Sequence, residues 1–547
     1  MNSTGARALI DVLLEQGVDT VFGYPGSAVL DIYDELYKCD KIRHILTCHE
    51  QAAAHAADGY ARATGRTGVV IATSGPGATN LVTGIAAAYM DSSPVVAITG
   101  NVKTSLLGSD SFQEVDIAGV TMPVTKYSFI ASGERGVAQD VREAFSIAQS
   151  GRKGPVLVDI PADIAAQSEE YERALKSEPS PAKEPEKAEL ERAAQMIEKA
   201  KRPLIYVGGG AISSGASDAL KTFAQKLHIP VACSMMGLGA YPCSAELFLG
   251  LVGMHGNPAA NMAALNCDLL IAAGARFSNR VAASKESFAP KAKIIHIDID
   301  AAEFDKNIIS DAHILGDLGK TLEKLSAMLP PGENSEWLGE IAEFKRRIPR
   351  PKPYAPYTVL HTLSELTKGE ANIVTDVGQN QMWTAQYYDF ERPRSLITSG
   401  GLGAMGFGMG AAIGAALGKP ERKTILITGD GGFHMNLSEL ATLSRYNIPV
   451  VIVMNNGVLG MVRQWQKVFY DGRFSATQPE RGTDIAAVAK AFGVKGMRIK
   501  NPSQAKRVFK KALSMDKPVV IDSRIVPGCA VLPMKPPGGD MTMAIYK

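Results

Sequence analysis

The chain has 547 residues, a formal charge of +2 from 58 basic and 56 acidic side chains, and six cysteines. At roughly 150 residues per domain, this length predicts three or four domains. The near-neutral charge gives no basic surface of the kind that nucleic-acid-binding proteins need, so we expect no nucleic-acid partner. Six cysteines without a CxxC pair are too few for a disulfide-based fold, and they indicate reduced thiols and a cytoplasmic location.

No segment has the pattern of a targeting or membrane-spanning sequence. Arg7, Asp11 and Glu15 interrupt the apolar residues near the N-terminus, which argues against a signal peptide. The longest uncharged stretch, 395–418, could span a bilayer by its length, but it contains eight glycines and no run of large apolar side chains. We therefore predict buried, closely packed backbone there and no association with a membrane.

Two proline-rich stretches divide the chain. Residues 176–189 (KSEPSPAKEPEKAE) and 349–356 (PRPKPYAP) combine prolines with charges and resist regular structure. These linkers predict three domains, at residues 1–175, 190–345 and 357–547.

Each predicted domain contains short apolar runs separated by helix-like stretches. β-Branched runs without polar alternation favour strands covered on both faces, as in parallel sheets. We therefore predict an α/β protein with three doubly wound domains, whose parallel sheets are covered by helices. The first and third domains end on similar strands, GPVLVD (154–159) and KPVVID (517–522), which suggests two related folds within one chain. The predicted strands are 68–73, 94–99, 155–160, 203–207, 268–273, 293–299, 424–428, 449–454 and 518–521.

Two polar motifs follow neighbouring predicted strands of the third domain. The sequence GDG at 429–431 directly follows the strand at 424–428, and Asn-Asn at 455–456 follows the strand at 449–454. Ligands of open α/β sheets bind beyond the carboxyl ends of strands, so we expect both motifs at one crevice. Carboxylate and amide oxygens suit Mg²⁺, which usually completes its octahedral shell with phosphate oxygens. The alternative is a glycine turn and an Asn-Gly turn without a ligand.

A glutamate precedes an alanine-rich helical stretch in the first domain. The segments HEQ (49–51) and AHAADGYAR (54–62), together with the GDG and Asn-Asn motifs, resemble thiamine diphosphate enzymes. In that family the glutamate, here Glu50, hydrogen-bonds the aminopyrimidine of the cofactor and favours the tautomer that deprotonates the thiazolium. Without the resemblance, such a glutamate would be interpreted as a favourable charge at a helix N-terminus.

Further segments narrow the resemblance. The chain is similar over nearly its whole length to the catalytic large subunits of biosynthetic acetolactate (acetohydroxyacid) synthases. The segments that carry this similarity are GMVRQWQ (460–466), SFQEVD (111–116), TSGPGATN (73–80), DVGQ (376–379) and VLPM (531–534).

The resemblance implies a carboligase. Enzymes of this family decarboxylate pyruvate on thiamine diphosphate and condense the hydroxyethyl carbanion with a second 2-oxoacid, in the first common step of branched-chain amino-acid (isoleucine and valine) biosynthesis. Pyruvate as acceptor gives 2-acetolactate, and 2-oxobutyrate gives 2-aceto-2-hydroxybutyrate. One alternative is another thiamine diphosphate enzyme, such as pyruvate oxidase or the FAD-free catabolic acetolactate synthase, against which Trp465 and the segment 276–280 argue. The other is a non-catalytic homologue, against which the intact Glu50, Asp430 and Asn456 argue.

The resemblance also assigns residues to the predicted cofactor site. Glu50 would activate the cofactor, while Asp430 and Asn456 would hold Mg²⁺. Asn456 is preferred to Asn455 because of the order of residues in the motif. The full set of predicted thiamine diphosphate contacts is Glu50, Val377, Gly378, Gln379, Asn380, Gly403, Met405, Gly429, Asp430, Gly431, Gly432, Asn456, Gly460 and Met461.

The same resemblance places the acceptor 2-oxoacid against Phe112, Gln113, Arg276 and Trp465. Gln113 is also expected to take part in catalysis, and Arg276 to meet the acceptor carboxylate. Trp465 would favour the larger acceptor through its extra methyl group, a contact worth ~1–3 kcal/mol.

The central domain resembles the FAD-binding domain of this family, in which the flavin has a structural rather than a redox role. A run of three glycines, 208–210, follows the strand at 203–207, where backbone can approach a ligand closely. The predicted FAD contacts are Arg152, Gly208, Gly209, Gly210, Met254, His255, Arg276, Arg280, Asp298 and Asp317.

The resemblance further implies an assembly. Glu50 of one subunit would face the GDG motif of another, so the expected active unit is a homodimer, alone or within a homotetramer. Many relatives bind a separate regulatory small subunit, which is a candidate partner here besides the small 2-oxoacids.

Overall fold

The computed structural model describes residues 2–176, 179–282, 285–348, 355–448, 450–480, 482–535 and 545. Three six-stranded sheets follow one another along this described part of the chain. Of the first predicted linker, residues 179–186 form neither helix nor strand, but a helix already begins at Lys187. The second linker lies outside the described residues at 349–354, and a helix begins at Ala355.

The N-terminal unit surrounds the first sheet. Its strands are β1 (Asn2–Thr4), β2 (Thr20–Tyr24), β3 (Arg43–Leu46), β4 (Gly68–Ala72), β5 (Val95–Asn101), β6 (Tyr127–Ile130), β7 (Val156–Pro161) and β8 (Ser168–Glu170). Its helices are α1 (Gly5–Glu15), α2 (Leu30–Tyr37), α3 (Glu50–Thr64), α4 (Pro76–Asn80), α5 (Val82–Met90), α6 (Ile117–Thr121), α7 (Val137–Gln149) and α8 (Ala162–Ala166). The sheet has the order β3-β2-β4-β5-β7-β6 with all neighbours parallel, and β1 and β8 form a separate antiparallel pair.

The central unit has the strand order of a dinucleotide-binding fold. Its strands are β9 (Pro203–Val207), β10 (Val231–Cys233), β11 (Phe248–Leu251), β12 (Leu269–Ala273), β13 (Lys293–Asp298) and β14 (Ala312–Leu315). Its helices are α9 (Lys187–Lys199), α10 (Gly209–Ser213), α11 (Ser217–Leu227), α12 (Pro258–Asn266), α13 (Lys285–Phe288), α14 (Leu318–Met328) and α15 (Ser335–Arg347). The parallel order β11-β10-β9-β12-β13-β14 places a switch point, where the winding reverses, between β9 and β12.

The C-terminal unit repeats the topology of the N-terminal one. Its strands are β15 (Asn372–Thr375), β16 (Leu396–Ile397), β17 (Thr424–Gly429), β18 (Val450–Asn455), β19 (Lys495–Ile499) and β20 (Val519–Arg524). Its helices are α16 (Ala355–Thr367), α17 (Gln379–Tyr387), α18 (Phe407–Gly418), α19 (Asp430–Met435), α20 (Leu440–Tyr446), α21 (Gly460–Phe469), α22 (Ile485–Ala491) and α23 (Ala505–Leu513). The parallel order β16-β15-β17-β18-β20-β19 is the N-terminal order, strand for strand.

The predicted fold is confirmed, including the two related folds within one chain. The likeness of the outer units extends to one buried hydrogen bond. Asn101 of β5 donates to the Asp159 carboxylate on β7, and Asn455 of β18 donates to that of Asp522 on β20 at 2.9 Å. In both sheets the asparagine lies two residues beyond the position that pairs with the aspartate, so the two bonds occupy equivalent places.

The outer units pack on each other through α3 and α18, which meet at glycines. A Cβ atom on Gly59 of α3 would lie 2.1 Å from the carbonyl oxygen of Ala411. One on Gly414 of α18 would lie 1.8 Å from that of Ala56. The two backbones are therefore as close as backbones can be, and no side chain larger than hydrogen fits at these positions.

Helix α18 occupies the end of the glycine-rich stretch 395–418. The helix is largely buried, as predicted, but residues 400–403 before it are exposed in the single chain, contrary to the prediction of burial. No helix of the described residues is long and apolar enough to cross a membrane.

We expect Gly414→Ala to lower the free energy of unfolding by about 2–3 kcal/mol, because the added methyl group collides with backbone that cannot yield. The matched control is Gly339→Ala on α15, where a Cβ would meet no described atom within 4 Å. That change should instead raise the free energy of unfolding by about 0.5–1 kcal/mol, since alanine is more favourable than glycine in a helix interior. Urea unfolding of both variants checks the pair, and equal effects would contradict the assigned packing.

Candidate active site

Glu50 begins α3 and is partly exposed. Nδ1 of His49 accepts a hydrogen bond from the backbone N of Gln51 at 3.1 Å, which caps the helix. Oε2 of Glu50 accepts a hydrogen bond from Nδ2 of Asn80 at 3.0 Å. Asn80 ends α4, so a second element of the N-terminal unit orients this carboxylate.

Asp430 and Asn456 follow adjacent strands of the C-terminal sheet, β17 and β18. Both are buried, with exposed fractions of 5% and 8%. The neighbouring Asn455 is held within the sheet by its bond to Asp522. Asn456 instead reaches beyond the sheet, where its Nδ2 donates to Oε1 of Gln379 at 3.1 Å.

Gln379 joins three segments at this edge. Its Nε2 donates to Oε1 of Gln464 at 3.0 Å and to the carbonyl oxygen of Cys529 at 2.9 Å. A Cβ on Gly460 would lie 2.0 Å from Oε1 of Gln379, so only glycine leaves room for this amide. Both N–H donors of Gln379 are therefore used within the protein, and its side chain supports α21 and Asn456.

Asp376 connects the loops around Asp430, a role that the sequence did not predict. Its carboxylate accepts hydrogen bonds from the backbone N of Val377 at 2.8 Å, Gly406 at 3.0 Å and Gly408 at 3.1 Å. A Cβ on Gly432 would lie 2.4 Å from its Oδ1. Burial raises the pKa of Asp376, while the three N–H donors act in the opposite direction.

Three of the predicted contact glycines border open space. Among the described atoms, Nδ2 of Asn380 is the only one within 4 Å of a Cβ placed on Gly378 or on Gly429. It would lie 3.5 Å from the first and 3.3 Å from the second. One on Gly403 would meet, of the residues that the structure describes, only Val377, whose Cγ1 lies 3.9 Å away. Oδ1 of Asn380 is buried and has no hydrogen-bond partner within the described part of the chain. An open cradle beside an unpaired polar atom is what a polar ligand would fill.

Met405 lies beside the backbone that follows Asp430. Its Cε is 3.3 Å from the ideal Cβ position of Gly431, and Cδ2 of Leu459 is 3.0 Å from the same position. Met461, the second residue of α21, is partly buried and packs against the core.

Phe112 is presented to solvent, whereas its neighbour Gln113 packs on the loop of Gly75. Phe112 is 86% exposed. Gln113 has a left-handed backbone with φ of 59°, and it faces Gly75, whose φ is 58°. A Cβ on Gly75 would lie 2.9 Å from Cα of Gln113, so the glycine allows the two loops to touch. A non-glycine residue in this conformation costs of order 1–2 kcal/mol, which the surrounding contacts must offset.

Two arginines of the central unit contact its neighbours. Nη2 of Arg276 donates to the carbonyl oxygen of Met90 at 2.7 Å. The guanidinium of Arg280 lies over the ring of Trp465, 5.7 Å from its centre. Arg276 therefore joins the central unit to the N-terminal one, and Arg280 joins it to α21.

The glycine run 208–210 meets protein backbone rather than open space at two of its three positions. A Cβ on Gly208 would lie 2.3 Å from the carbonyl oxygen of Gly274, and one on Gly210 would lie 2.8 Å from its Cα. One on Gly209 would lie 3.2 Å from Cβ of Met236. The need for glycine at 208 and 210 thus comes from the crossing of the loops after β9 and β12.

Most of the other predicted FAD contacts have partners within the protein. Arg152 donates to Glu303 at 2.6 Å. The carboxylates of Asp298 and Asp317 accept backbone N–H groups two and three residues further on, both at 3.0 Å. Burial raises the pKa of Asp298 to about 6. Met254 and His255 are buried, and Nδ1 of His255 has no hydrogen-bond partner among the described residues.

His55 lies at the contact of α3 and α18 and is fully buried, with neither ring nitrogen hydrogen-bonded in the described structure. Its ring packs edge-on against Phe407, 5.1 Å between centres. Burial lowers the pKa of His55 from 6.5 to about 4, so His55 is neutral in the folded chain at neutral pH.

Three family profiles match the chain in order. The N-terminal TPP-binding domain of thiamine pyrophosphate enzymes matches residues 3–120, their central domain 190–325, and their C-terminal TPP-binding domain 376–523.

Individual relatives match over the whole chain. The probable acetolactate synthase large subunit of Methanocaldococcus jannaschii is 48% identical, over 98% of this chain and 94% of the relative. The acetolactate synthase isozyme 3 large subunit of Escherichia coli is 42% identical, over 98% and 97%. The acetolactate synthase large subunit of Corynebacterium glutamicum is 45% identical, over 97% and 88%.

His55 should make the folded chain sensitive to acid. The unfolded chain takes up a proton at this residue below pH 6.5, whereas the folded chain does so only near pH 4. The contribution of neutral His55 to the free energy of unfolding is therefore complete above pH 6.5. This contribution, about 3 kcal/mol, is lost as the pH falls towards 4. We expect His55→Leu to reduce the decrease in unfolding free energy between pH 7 and pH 5, measured by urea unfolding. An unchanged pH dependence would contradict this.

Proposed function

Because this chain belongs to the acetolactate synthase large-subunit family of thiamine pyrophosphate enzymes, we propose that it decarboxylates pyruvate and joins the remaining two-carbon unit to a second 2-oxoacid. The product is 2-acetolactate with pyruvate as acceptor and 2-aceto-2-hydroxybutyrate with 2-oxobutyrate. Similarity to named large subunits across all three units is the observation that carries the proposal.

We propose thiamine diphosphate and Mg²⁺ as cofactors at the carboxyl edge of the C-terminal sheet. Thiamine diphosphate, when bound, supplies the electron sink for decarboxylation of a 2-oxoacid. Asp430 and Asn456 would hold Mg²⁺ through oxygen atoms, and phosphate and water oxygens would complete its shell. The cradle bordered by Gly378, Gly403 and Gly429 supports this placement. No group of three or more His, Cys, Asp or Glu in the described ranges could hold a metal by itself.

Glu50 is the proposed proton-holding group. Asn80 occupies Oε2 of its carboxylate, which leaves Oε1 as the oxygen that would face a ligand. A carboxyl group fixed in this way can hold and return a proton without losing its orientation.

We propose that two copies of the chain complete each active site, in a homodimer or a homotetramer of such pairs. The hydrogen bond of Glu50 is made within the N-terminal unit, while Asp430 and Asn456 lie in the C-terminal unit. The exposure of Phe112 supports a role for this residue in the site of a second copy. The relatives are named as large subunits, so a separate small subunit is a further proposed partner.

The acceptor 2-oxoacid is proposed to bind near Phe112, Gln113, Arg276 and Trp465. Arg276 carries the charge that an acceptor carboxylate needs, and Trp465 presents an indole that can contact an added methyl group. Because such a contact is worth only ~1–3 kcal/mol, acceptor preference would be relative rather than absolute.

We also propose that the central unit binds FAD in a structural role. The strand order of its sheet is that of dinucleotide-binding folds, whose ligands lie at the switch point, here between β9 and β12.

The proposed domain limits remain 1–175, 190–345 and 357–547. A cytoplasmic location is proposed from the six free cysteines.

Incubation with pyruvate tests the reaction, with thiamine diphosphate, Mg²⁺ and FAD added one at a time. We expect acetolactate without hydrogen peroxide, and a second product when 2-oxobutyrate competes. Glu50→Gln should lower kcat by ~10²-fold or more, because the proton-transferring carboxyl group is lost. Peroxide or acetyl phosphate as product, or full turnover in this variant, would reject the assigned reaction or mechanism.

The adjacent asparagines provide a matched test of the metal site. Asn456→Ala should raise the Mg²⁺ concentration that gives half-maximal activity by roughly tenfold or more, since one metal ligand is lost. Asn455→Ala should instead lower stability by about 1–2 kcal/mol through its bond to Asp522 and leave the Mg²⁺ requirement nearly unchanged. The opposite pattern would assign the ligand to Asn455.

Mixing two inactive variants tests the shared site. If Glu50 of one copy and Asp430 of the other belong to the same active site, a mixed dimer of Glu50→Gln and Asp430→Asn chains contains one intact site. Random reassociation should then restore about a quarter of wild-type activity. If each active site is made by a single chain, every site stays defective and mixing restores no activity.

A further inference from the structure

The loop between β3 and α3, which leads into Glu50, is held by the C-terminal unit. Oε1 of Glu439 accepts hydrogen bonds from the backbone N of Cys48 at 2.9 Å and of His49 at 3.1 Å. The hydroxyl oxygen of Tyr446 accepts one from the backbone N of Leu46 at 3.0 Å. Three backbone N–H groups, one at the end of β3 and two in the loop, are thus held by the last residue of α20 and by the turn before this helix.

Glu439 is placed to hold the loop rather than to meet solvent. It has no exposed surface, and its Oε2 accepts a hydrogen bond from the hydroxyl of Thr442 at 2.6 Å. Both carboxylate oxygens are therefore engaged. Without Glu439, the backbone N–H groups of Cys48 and His49 would lose these acceptors, which favours a shift of the loop.

We propose that Glu439 is a positioning residue for Glu50. By accepting the N–H groups of the two residues before Glu50, it sets where α3 begins and so where the Glu50 carboxyl group lies. This inference rests on the proposed function, in which Glu50 acts on the reacting atoms. Glu439 also lies in the same segment as Asp430. Its carboxylate therefore links this segment to the loop before Glu50, and we assign Asp430 and Glu50 of one chain to different active sites of the dimer.

Steady-state kinetics of three variants tests the proposal. Glu439→Ala should lower kcat by roughly 10- to 100-fold with little change in KM for pyruvate, because a misplaced proton donor slows the chemical step. Glu439→Gln keeps an acceptor oxygen for the loop and should stay within about threefold of wild type. Thr442→Val, a buried position on α20, removes the bond to Oε2 and a 3.8 Å contact with Sγ of Cys48. Because it leaves the acceptor of the Cys48 and His49 N–H groups in place, it should also stay within about threefold. Wild-type kcat in Glu439→Ala would overturn the proposal.

A double-mutant cycle separates positioning from general stability. If Glu439 acts only through Glu50, Glu439→Ala should cause no further loss of kcat in the Glu50→Gln background. Additive losses would mean that Glu439 acts elsewhere. Full turnover of Glu50→Gln alone would instead reject the proposed function, whatever Glu439 does.

Amide hydrogen exchange of the protein without cofactor gives a readout independent of turnover. Peptides covering residues 44–55 should exchange faster in Glu439→Ala and at the wild-type rate in Glu439→Gln. Should Glu439→Ala fail to fold, Glu439→Asp takes its place, since the shorter side chain withdraws the acceptor from the loop. Unchanged exchange and kcat in Glu439→Asp would then contradict the proposal.

Discussion

The close contact of α3 with α18 is the constraint on which the candidate site depends. The helices meet backbone to backbone, as at Gly410, where a Cβ would lie 2.5 Å from the carbonyl oxygen of Ala52. Glu50 begins one helix, and the loop with Gly403 and Met405 leads into the other. Any change in how the two helices pack would therefore move both groups of predicted cofactor contacts.

A buried ion-pair network fixes the same contact. Arg62 of α3 binds Asp58 at 2.7 Å and Asp91 at 3.0 Å, and also donates to the carbonyl oxygen of Thr398. Asp91 in turn accepts the backbone N of Gly401 at 2.7 Å. The two carboxylates raise the pKa of the buried Arg62 guanidinium, so its charge is retained. The network joins the helix of Glu50 to the loop of Gly403 without relying on apolar packing alone.

The sequence was most informative where a local pattern decides the structure. All nine predicted strands are present because a continuous apolar run can be satisfied only in a strand covered on both faces. Of the 20 described strands, the other eleven were not predicted. Two of these, β6 and β19, lie at sheet edges and expose part of their surface. The order of the strands was also out of reach, because it depends on contacts between distant segments. Glu439 illustrates this limit: it resembles an ordinary helix-associated carboxylate, and its partners lie about 390 positions away.

Glycines show most clearly what the sequence cannot distinguish. The run at 208–210 and the glycines at 378, 403 and 429 were all predicted to contact a cofactor, and the sequence offers no way to distinguish them. The structure separates them by what a Cβ atom would meet among the described atoms. It would meet backbone at 208 and 210, but a single side-chain atom within 4 Å at 378, 403 and 429. Only the second group supports a ligand directly, because the first is already explained by packing between loops. The case for FAD in the central unit therefore depends on its strand order, whereas the case for a phosphate-bearing cofactor in the C-terminal unit depends on the glycines themselves.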